Sequence, residues 1–142
     1  MRPDASGSLA GLRSSGDSLS TEKKIAGDKA ERAAEEHLAA LGFVILERNL
    51  RVGRDEIDLL VQKDDLVAIV EVRMRGVTAF EGPLASVDKK KRDKLIRAAE
   101  RLWRERWSKD PKAPRLRFDV VGVRVDETGT HVEHIAGAFT AA

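Results

Sequence analysis

Two acidic residues interrupt otherwise apolar segments near the middle of the chain. Asp58 lies within Glu56–Gln62 (EIDLLVQ), and Glu71 lies within Leu66–Arg73 (LVAIVEVR). An ionised carboxylate in apolar surroundings is costly unless a cation or a basic partner compensates it. Two hard oxygen ligands at one site, without Cys or His, suit Mg²⁺ or Mn²⁺. The pattern therefore predicts either a divalent-metal site or a strand-end ion pair in which Arg73 or another base neutralises the acids.

A short polar turn allows the two acidic segments to meet. The turn Lys63-Asp64-Asp65 has the length of a β-hairpin connection, and both flanking segments are apolar on both faces, as is typical of covered central strands. Asp58 lies five residues before Lys63, and Glu71 lies six residues after Asp65. An antiparallel hairpin therefore predicts that the two acids oppose each other to within about one residue.

Side-chain alternation along a strand assigns a face to each residue of these segments. In the second segment, Glu71 and Arg73 are predicted to share a face with Ile69. Glu56 is either a further ligand or a surface acid at the start of its strand. In the first segment, one face is predicted to hold Glu56, Asp58 and Leu60, and the other Ile57, Leu59 and Val61.

Length and composition restrict the class of protein. A chain of 142 residues has the usual size of one domain, and 42% hydrophobic residues suffice for a core. The absence of Cys excludes disulfide scaffolds, Cys-based metal sites and a Cys nucleophile, and three His make His-rich metal catalysis an unfavourable hypothesis. The chain contains neither an apolar run of membrane-spanning length nor an apolar signal segment at its start. We therefore expect a cytoplasmic protein without a membrane partner.

Hydrophobic periodicity predicts the order α-β-β-β-α-β-β, an α/β fold with a central mixed sheet and helices against it. Residues 1–20, rich in Ser and Gly, are predicted to be a flexible tail, and residues 21–142 a single domain. The first helix is predicted to start near Ser20 and to stop at a left-handed Gly42. The remaining predictions are a helix over Asp88–Trp107, a loop over Gly76–Pro83, and strands over Phe43–Arg51, Glu56–Gln62, Leu66–Arg73, Leu116–Val125 and His131–Ile135.

Positive charge is concentrated in one segment of the chain. Residues 88–117 carry 13 Lys and Arg against 5 Asp and Glu, a net charge of +8 in a protein whose net charge is +2. Such a field suits nucleic acid, because neutralising phosphates releases counterions, although a solvated helix face is the alternative. Trp103 and Trp107, one helical turn apart in this segment, either pack at the rim of the core or stack on unpaired bases. The predicted phosphate contacts are Lys89, Lys90, Lys91, Arg92 and Lys94.

The last part of the chain contains three further polar candidates. Asp119 either joins the acidic site or, more simply, pairs with Arg117 two residues earlier. His131 and His134 are three residues apart and cannot share a strand face, which argues against a His metal pair.

The order of these motifs resembles a known family. Asp58 followed by Glu71-Val72-Arg73 resembles the bipartite Asp…(Asp/Glu)-x-Lys site of the restriction-endonuclease-like nuclease superfamily. More narrowly, the chain resembles the small bacterial YraN proteins, also called the UPF0102 family, which are related to archaeal Holliday-junction resolvases. The matching stretches extend from about Gly27 to Phe139 and are Glu31-x-x-Ala34, LGFVILERNLR (41–51), EIDLL (56–60), VEVR (70–73), Val87 with Lys91 and Leu95, RFDVVGV (117–123) and EHIAGAF (133–139).

This resemblance implies an endonuclease-like core and a divalent-metal-dependent, structure-selective DNA nuclease. It implies that Asp58 and Glu71 hold Mg²⁺ or Mn²⁺, which would polarise the scissile phosphate and lower the pKa of an attacking water. Glu31 would be the acid that resolvase-like relatives place beside the metal. The alternative is that Glu31 is a solvated glutamate on the surface of its helix. The catalytic set that the resemblance implies is Glu31, Asp58, Glu71 and Arg73.

The sequence departs from the family pattern at Arg73, where Lys is usual. Arg remains protonated and is a poor proton acceptor, although it can stabilise developing charge on a phosphate. Asp55 also replaces the Gly that commonly precedes EIDL in these relatives. The alternative function is therefore a nucleic-acid-binding module of the same fold with weak or no cleavage. Cutting two strands would also need a homodimer, for which the sequence contains no clear interface signature.

Overall fold

The computed structural model describes the backbone of residues 15–75 and 87–141, and the side chains of residues 27–74 and 87–141. Within these residues five strands form one sheet in the order β1-β2-β3-β4-β5. Neighbouring strands are antiparallel except β3 and β4, which are parallel and are connected through α2. The predicted mixed sheet is confirmed. The elements are α1 (Ser15–Ala40), β1 (Val44–Val52), β2 (Asp55–Lys63), β3 (Leu66–Arg75), α2 (Lys89–Arg106), β4 (Arg115–Asp126) and β5 (Gly129–Phe139).

Helix α1 presents a stripe of small and apolar residues to the sheet. Ala30, Ala34 and Leu38 recur every four residues and are each at most 2% exposed. At the end of the helix the Phe43 N–H donates to the Leu38 carbonyl, 3.0 Å away, in the pattern of a Schellman motif. Gly42 has a φ of 98°, which glycine adopts without steric cost. The predicted stop at this glycine is confirmed.

The first helix begins earlier than the sequence predicts. Its first residue is Ser15, whereas the apolar periodicity starts near Ser20. Once the amphipathic part has formed a turn, each further residue adds a hydrogen bond for the cost of ordering one residue, so a helix can extend beyond its apolar stripe. Residues 1–14 of the predicted tail lie outside the described residues, as does the predicted loop over Gly76–Pro83.

Strands β2 and β3 form the predicted hairpin. A two-residue turn separates Lys63 from its partner Leu66, and the ladder continues from there to the pair formed by Leu59 and Val70. Pairing between these strands ends at that point. Beyond it, the first part of β2 remains paired with β1 and the last part of β3 with β4, so the two segments have no backbone ladder with each other.

Strict alternation along β2 fails at Asp58. Ile57 packs among the apolar residues beneath α2, whereas Leu59 and Val61 pack among those beneath α1. The prediction that these three residues share a face was therefore wrong. Asn49, which lies across from Asp58 on β1, has a φ of 50°, and a left-handed residue in a strand locally changes its twist. The apolar side chains of β2 change faces at the position of Asp58, opposite this left-handed residue.

Helices cover both faces of the sheet, and each face has its own core. Alternation along β3 directs Val67 and Ile69 toward α2 and directs Ala68 and Val70 toward α1. No helix in the described part of the chain is long and apolar enough to cross a membrane. The core beneath α2 includes Leu60, Leu95, Leu102, Phe118 and Val120, and the core beneath α1 includes Ala34, Leu38, Leu59, Val121 and Val123.

Candidate functional site

The main chain of the neighbouring strand fixes Asp58. Beyond the last pair of the β2–β3 ladder, the Oδ2 atom of Asp58 accepts a hydrogen bond of 2.8 Å from the Val72 N–H. The side chain thus satisfies a backbone donor that the ladder leaves unpaired. Leu59 pairs with Val70 in an antiparallel ladder, so one residue further on Asp58 lies opposite Glu71. The structure therefore brings the two predicted acids together.

Glu71 is a buried carboxylate with two cationic neighbours. Its side chain is 4% exposed, and its Oε2 atom lies 3.1 Å from the Arg73 Nη1 atom and 3.7 Å from the Lys91 Nζ atom. Its Oε1 atom is buried and has no hydrogen-bond partner among the described residues. Burial and, next, the negative charge of Asp58 raise the pKa of Glu71, Lys91 and Arg73 oppose the rise, and the net pKa is about 7. A bound cation would favour the ionised form.

Glu31 of α1 lies in the same acidic neighbourhood. Burial raises its pKa, and the negative charge of Asp58 raises it next, followed by Asp28, Glu35 and Glu56. Glu56 itself is exposed, as expected of a surface acid. Among the described side chains, those of residues 27–74 and 87–141, no group of three or more from His, Asp and Glu is close enough to hold one metal ion. Glu31 therefore lies near the acidic pair but does not form a set of three metal ligands with it.

The acidic pair fits a divalent cation at one of the Glu71 oxygens. Asp58 and Glu71 supply hard carboxylate oxygens, the ligands that Mg²⁺ and Mn²⁺ prefer. The buried Oε1 atom of Glu71 is a carboxylate oxygen that no described residue bonds. Arg73 and Lys91 approach the other oxygen, Oε2, and so provide part of the compensation that the ion-pair alternative requires. Both interpretations of the sequence thus have a counterpart in the geometry.

Three of the predicted phosphate contacts have partners within the protein. Lys91 reaches Glu71, as described above. The Arg92 guanidinium lies 5.7 Å from the ring centroid of Phe139, and its Nε donates to a main-chain carbonyl. Lys89 pairs with Asp93 at 2.9 Å, one turn later on the exposed surface of α2. The remaining two, Lys90 and Lys94, line a cleft beside α2.

This cleft is formed mainly by cationic side chains. It has a volume of about 490 Å³ and lies between the start of β2 and α2. Asp93 and the buried Asp55 are its acidic residues, and Arg97 makes a bidentate ion pair with Asp55 at 2.8 and 2.7 Å. The hydrogen bond from Arg97 lowers the pKa of Asp55. We call the basic residues Arg54, Lys90, Lys94 and Arg97 the cationic cleft.

Arg54 and Arg97 were not among the predicted contacts. The signal in the sequence was Asp55, the residue that departs from the glycine of the resembled family. A carboxylate that is 8% exposed needs a basic partner, and Arg97 supplies it across 42 residues of chain. Asp55 thereby anchors α2 to the start of β2 and orients the cationic cleft.

Asp119 belongs to a separate buried network. Its carboxylate accepts two hydrogen bonds of 2.8 Å from Arg117, which confirms the predicted pairing, and one of 2.8 Å from His134. Burial alone would raise the pKa of Asp119, but these bonds outweigh it and lower the pKa to about 2. The other ring nitrogen of His134 lies 3.2 Å from His37 of α1. His131 bonds elsewhere, to Asp126, so the two histidines of β5 do not meet.

Comparison with known proteins finds relatives along most of the chain. Residues 30–123 match the family described as Uncharacterised protein family UPF0102. The UPF0102 protein of Sorangium cellulosum (strain So ce56) is 40% identical over 129 residues, which cover 90% of each chain. One from Stutzerimonas stutzeri (strain A1501) is 39% identical over 84% of this chain and 98% of its own. Among solved structures, Pyrococcus furiosus SfsA in complex with Ca²⁺ matches with a TM-score of 0.40 and 15% identity, covering 80% of this chain and 63% of that one.

Proposed function

The chain belongs to the UPF0102 family, and from that membership and the geometry of the site we propose that it is a divalent-metal-dependent, structure-selective DNA nuclease. The observation that carries the proposal is the juxtaposition of Asp58 and Glu71 at the end of the β2–β3 ladder. Burial and the charge of Asp58 hold the pKa of Glu71 near 7, and one oxygen of Glu71 is buried without a bonding partner among the described residues. Strongly perturbed acids of this kind cluster at functional sites.

Each residue near the pair has a proposed role. Asp58 and Glu71 hold Mg²⁺ or Mn²⁺, which when bound polarises a phosphate and lowers the pKa of water. Arg73, with its fixed charge, binds the same phosphate and stabilises the charge that develops on it. Lys91 supplies a second cation to Glu71 from α2. Glu31 adds a third carboxylate beside Asp58, and burial, followed by the charge of Asp58, raises the pKa of Glu31.

The cationic cleft supports a polyanionic substrate. Its residues Lys90 and Lys94 flank Lys91 on the first turns of α2, so the cleft and the acidic pair lie at the same end of that helix. Phosphates bound in the cleft would leave a neighbouring part of the backbone close to Asp58 and Glu71. Binding of this kind depends on phosphate charge, so it should be independent of the base sequence of the DNA and should weaken as the salt concentration rises.

A second candidate function is a nucleic-acid-binding module of the same fold with weak or no cleavage. The ion pairs at Glu71 favour it, because Arg73 and Lys91 both approach one carboxylate oxygen and reduce the need for a metal. The presence of Arg73 at the position where the resembled nucleases have Lys favours it as well. In this alternative the cleft still binds phosphates, and only the chemical step is lost.

The test is a cleavage assay on branched, flapped, single-stranded and blunt duplex DNA, with Mg²⁺, with Mn²⁺ and with EDTA. Asp58→Asn is compared with the wild type, and Asp64→Asn is the matched control because Asp64 is exposed in the turn at a φ of 54° that Asn tolerates. Metal-dependent cleavage that Asp58→Asn alone loses supports the nuclease. Salt-dependent binding without cleavage leaves the binding module, and absence of both overturns both.

Two predictions about the setting of the protein accompany this proposal. Cutting both strands of a duplex would need two active sites, so we expect a homodimer, to be checked by sedimentation with and without DNA. We also expect a cytoplasmic protein, to be checked by fractionation of the source cell.

A further inference from the structure

An apolar groove of about 500 Å³ lies between α2 and the strands β4 and β5. Trp103 of α2, Phe118 of β4 and Phe139 of β5 line it, and its charged lining residues are Glu100, Arg104 and Arg117. This volume lies in the range of about 300–1,000 Å³ that is usual for sites of small organic groups. The groove is on the α2 face of the sheet, the face that also carries Glu71.

The two tryptophans of the chain differ in their relation to this groove. Trp103 is half-buried and forms part of the wall. Trp107, whose ring centroid is 6.3 Å from that of Trp103, packs against the core beneath α2. On the strand side, the rings of Phe118 and Phe139 stack on each other with centroids 4.8 Å apart. Aromatic surface is therefore present on both sides of the groove.

We propose that this groove holds an unpaired nucleobase of a nucleic-acid strand, with Trp103 as the stacking surface. The proposal rests on the nucleic-acid binding proposed above and adds to it the means of selecting structure. Every base has a flat apolar face that stacks on an aromatic ring, and a base paired inside a duplex cannot enter a groove. Arg117 is paired with Asp119, and the exposed Arg104 provides positive charge for a phosphate next to such a base, which a wholly apolar occupant would not require.

The position of the groove relative to the acidic pair fits one continuous strand. Lys91, which reaches Glu71, and Trp103 are twelve residues apart on α2, or about 18 Å along the helix axis at ~1.5 Å per residue. A strand that follows this helix would place its backbone near the acids and an unpaired base in the groove. We therefore expect preference for substrates with a single-stranded segment beside the bound phosphates.

Tryptophan fluorescence tests the proposal without cleavage. The chain has two Trp, so Trp107→Phe leaves Trp103 as the reporter and Trp103→Phe leaves Trp107. Titrations in EDTA use a short oligothymidylate and a blunt duplex. We expect oligothymidylate to quench the emission of Trp103 saturably and that of Trp107 little. We also expect Trp103→Leu to weaken oligothymidylate binding at least about fivefold, the loss of one stacked base, with duplex affinity changed less than about twofold.

The possible outcomes separate the two proposals. Unchanged Trp103 emission together with salt-dependent duplex binding overturns the groove inference and leaves the proposed function standing. If neither probe binds, both fail. Emission of Trp103 that responds to protein concentration and not to DNA assigns the groove to a second copy of the chain, which also overturns the inference. Far-ultraviolet circular dichroism shows whether each variant folds, and Trp103→Phe, which keeps an aromatic ring, should retain part of the affinity that Trp103→Leu loses.

Discussion

The Oδ2 atom of Asp58 accepts a hydrogen bond of 2.8 Å from the main-chain N–H of Val72. This bond continues the β2–β3 pairing by means of a side chain, one residue after the backbone ladder has ended. It fixes the Asp58 carboxyl group beside Glu71, because the bond uses the backbone of β3. The charge of Asp58 is in turn one cause of the raised pKa of Glu71. The first two predictions follow from this arrangement.

Divalent metal should raise the melting temperature of the protein. A cation that binds the acidic pair of the folded state alone stabilises it by mass action, by about 2.7 kcal/mol at a metal concentration 100-fold above Kd. Thermal melts with and without millimolar Mg²⁺ or Mn²⁺ measure the effect. Asp58→Asn should abolish the rise, and Asp64→Asn in the exposed turn should keep it. If neither metal changes the melting temperature of the wild type, the acidic pair is not a metal site.

In EDTA, stability should fall as the pH rises from about 4.5 to about 7. Glu71 has a pKa near 7 in the folded state and an ordinary value of 4.5, so within this window the folded state binds the proton and the unfolded state does not. The loss should reach up to about 3 kcal/mol. Urea unfolding at several pH values should show that Glu71→Gln removes the decline. The control Glu36→Gln, at an exposed residue, should keep the decline. If the stability of Glu71→Gln fell with pH as steeply as that of the wild type, Arg73 and Lys91 would be keeping Glu71 ionised.

Reversing charge in the cationic cleft should weaken DNA binding and flatten its salt dependence. Each phosphate contact contributes roughly 0.9 to the slope of log K against log salt on duplex DNA, so Lys90→Glu with Lys94→Glu should lower the slope by about 1.8. The control is Lys109→Glu with Lys112→Glu, an equal change of charge in the connection after α2. Binding titrations at several salt concentrations compare the two. If the two double variants had equal slopes of log K against log salt, the cleft would be only a solvated surface.

Arg73→Lys should accelerate cleavage. Arg73 contacts Glu71 and can stabilise a phosphate there, but its fixed charge makes it a poor proton acceptor, so we expect slow turnover in the wild type. Single-turnover rates should rise in Arg73→Lys, with DNA affinity changed by less than about tenfold, or 1.4 kcal/mol. Arg73→Ala should lose both binding and activity, because it removes a cation beside two acids. Brisk cleavage by the wild type, slowed by Lys, would show that Arg73 is fully adapted to the reaction.

Asp119→Asn should destabilise the fold without affecting DNA binding. The Asp119 side chain is fully buried and accepts bonds from Arg117 and His134, and removing one charge from a buried pair costs on the order of 3 kcal/mol. Urea unfolding at pH 7 measures the loss. Asp126→Asn is the control, since the contact of Asp126 with His131 lies in a more exposed part of the chain, where such pairs contribute little to stability. Equal effects of the two substitutions would contradict the importance of burial.

The local parts of this structure were readable from the sequence. The order of helices and strands follows from apolar periodicity, and the stop of α1 at Gly42 follows from the freedom of glycine at positive φ. The opposition of Asp58 and Glu71 followed from counting outward from a short turn, because a hairpin pairs residues in mirror order about it. The pairing of Arg117 with Asp119 was predictable for a similar reason, since residues two apart on a strand share a face.

Only the tertiary structure decided which distant groups reach these residues. Lys91 meets Glu71, Arg97 meets Asp55, and His37 meets His134 because α1 and α2 pack on opposite faces of a sheet whose β3 and β4 are parallel. Strand order and helix placement depend on the sum of many weak apolar contacts across the chain, which no short spacing records. The charge state of Glu71 is therefore a tertiary property, because burial and neighbours supplied by other elements determine it.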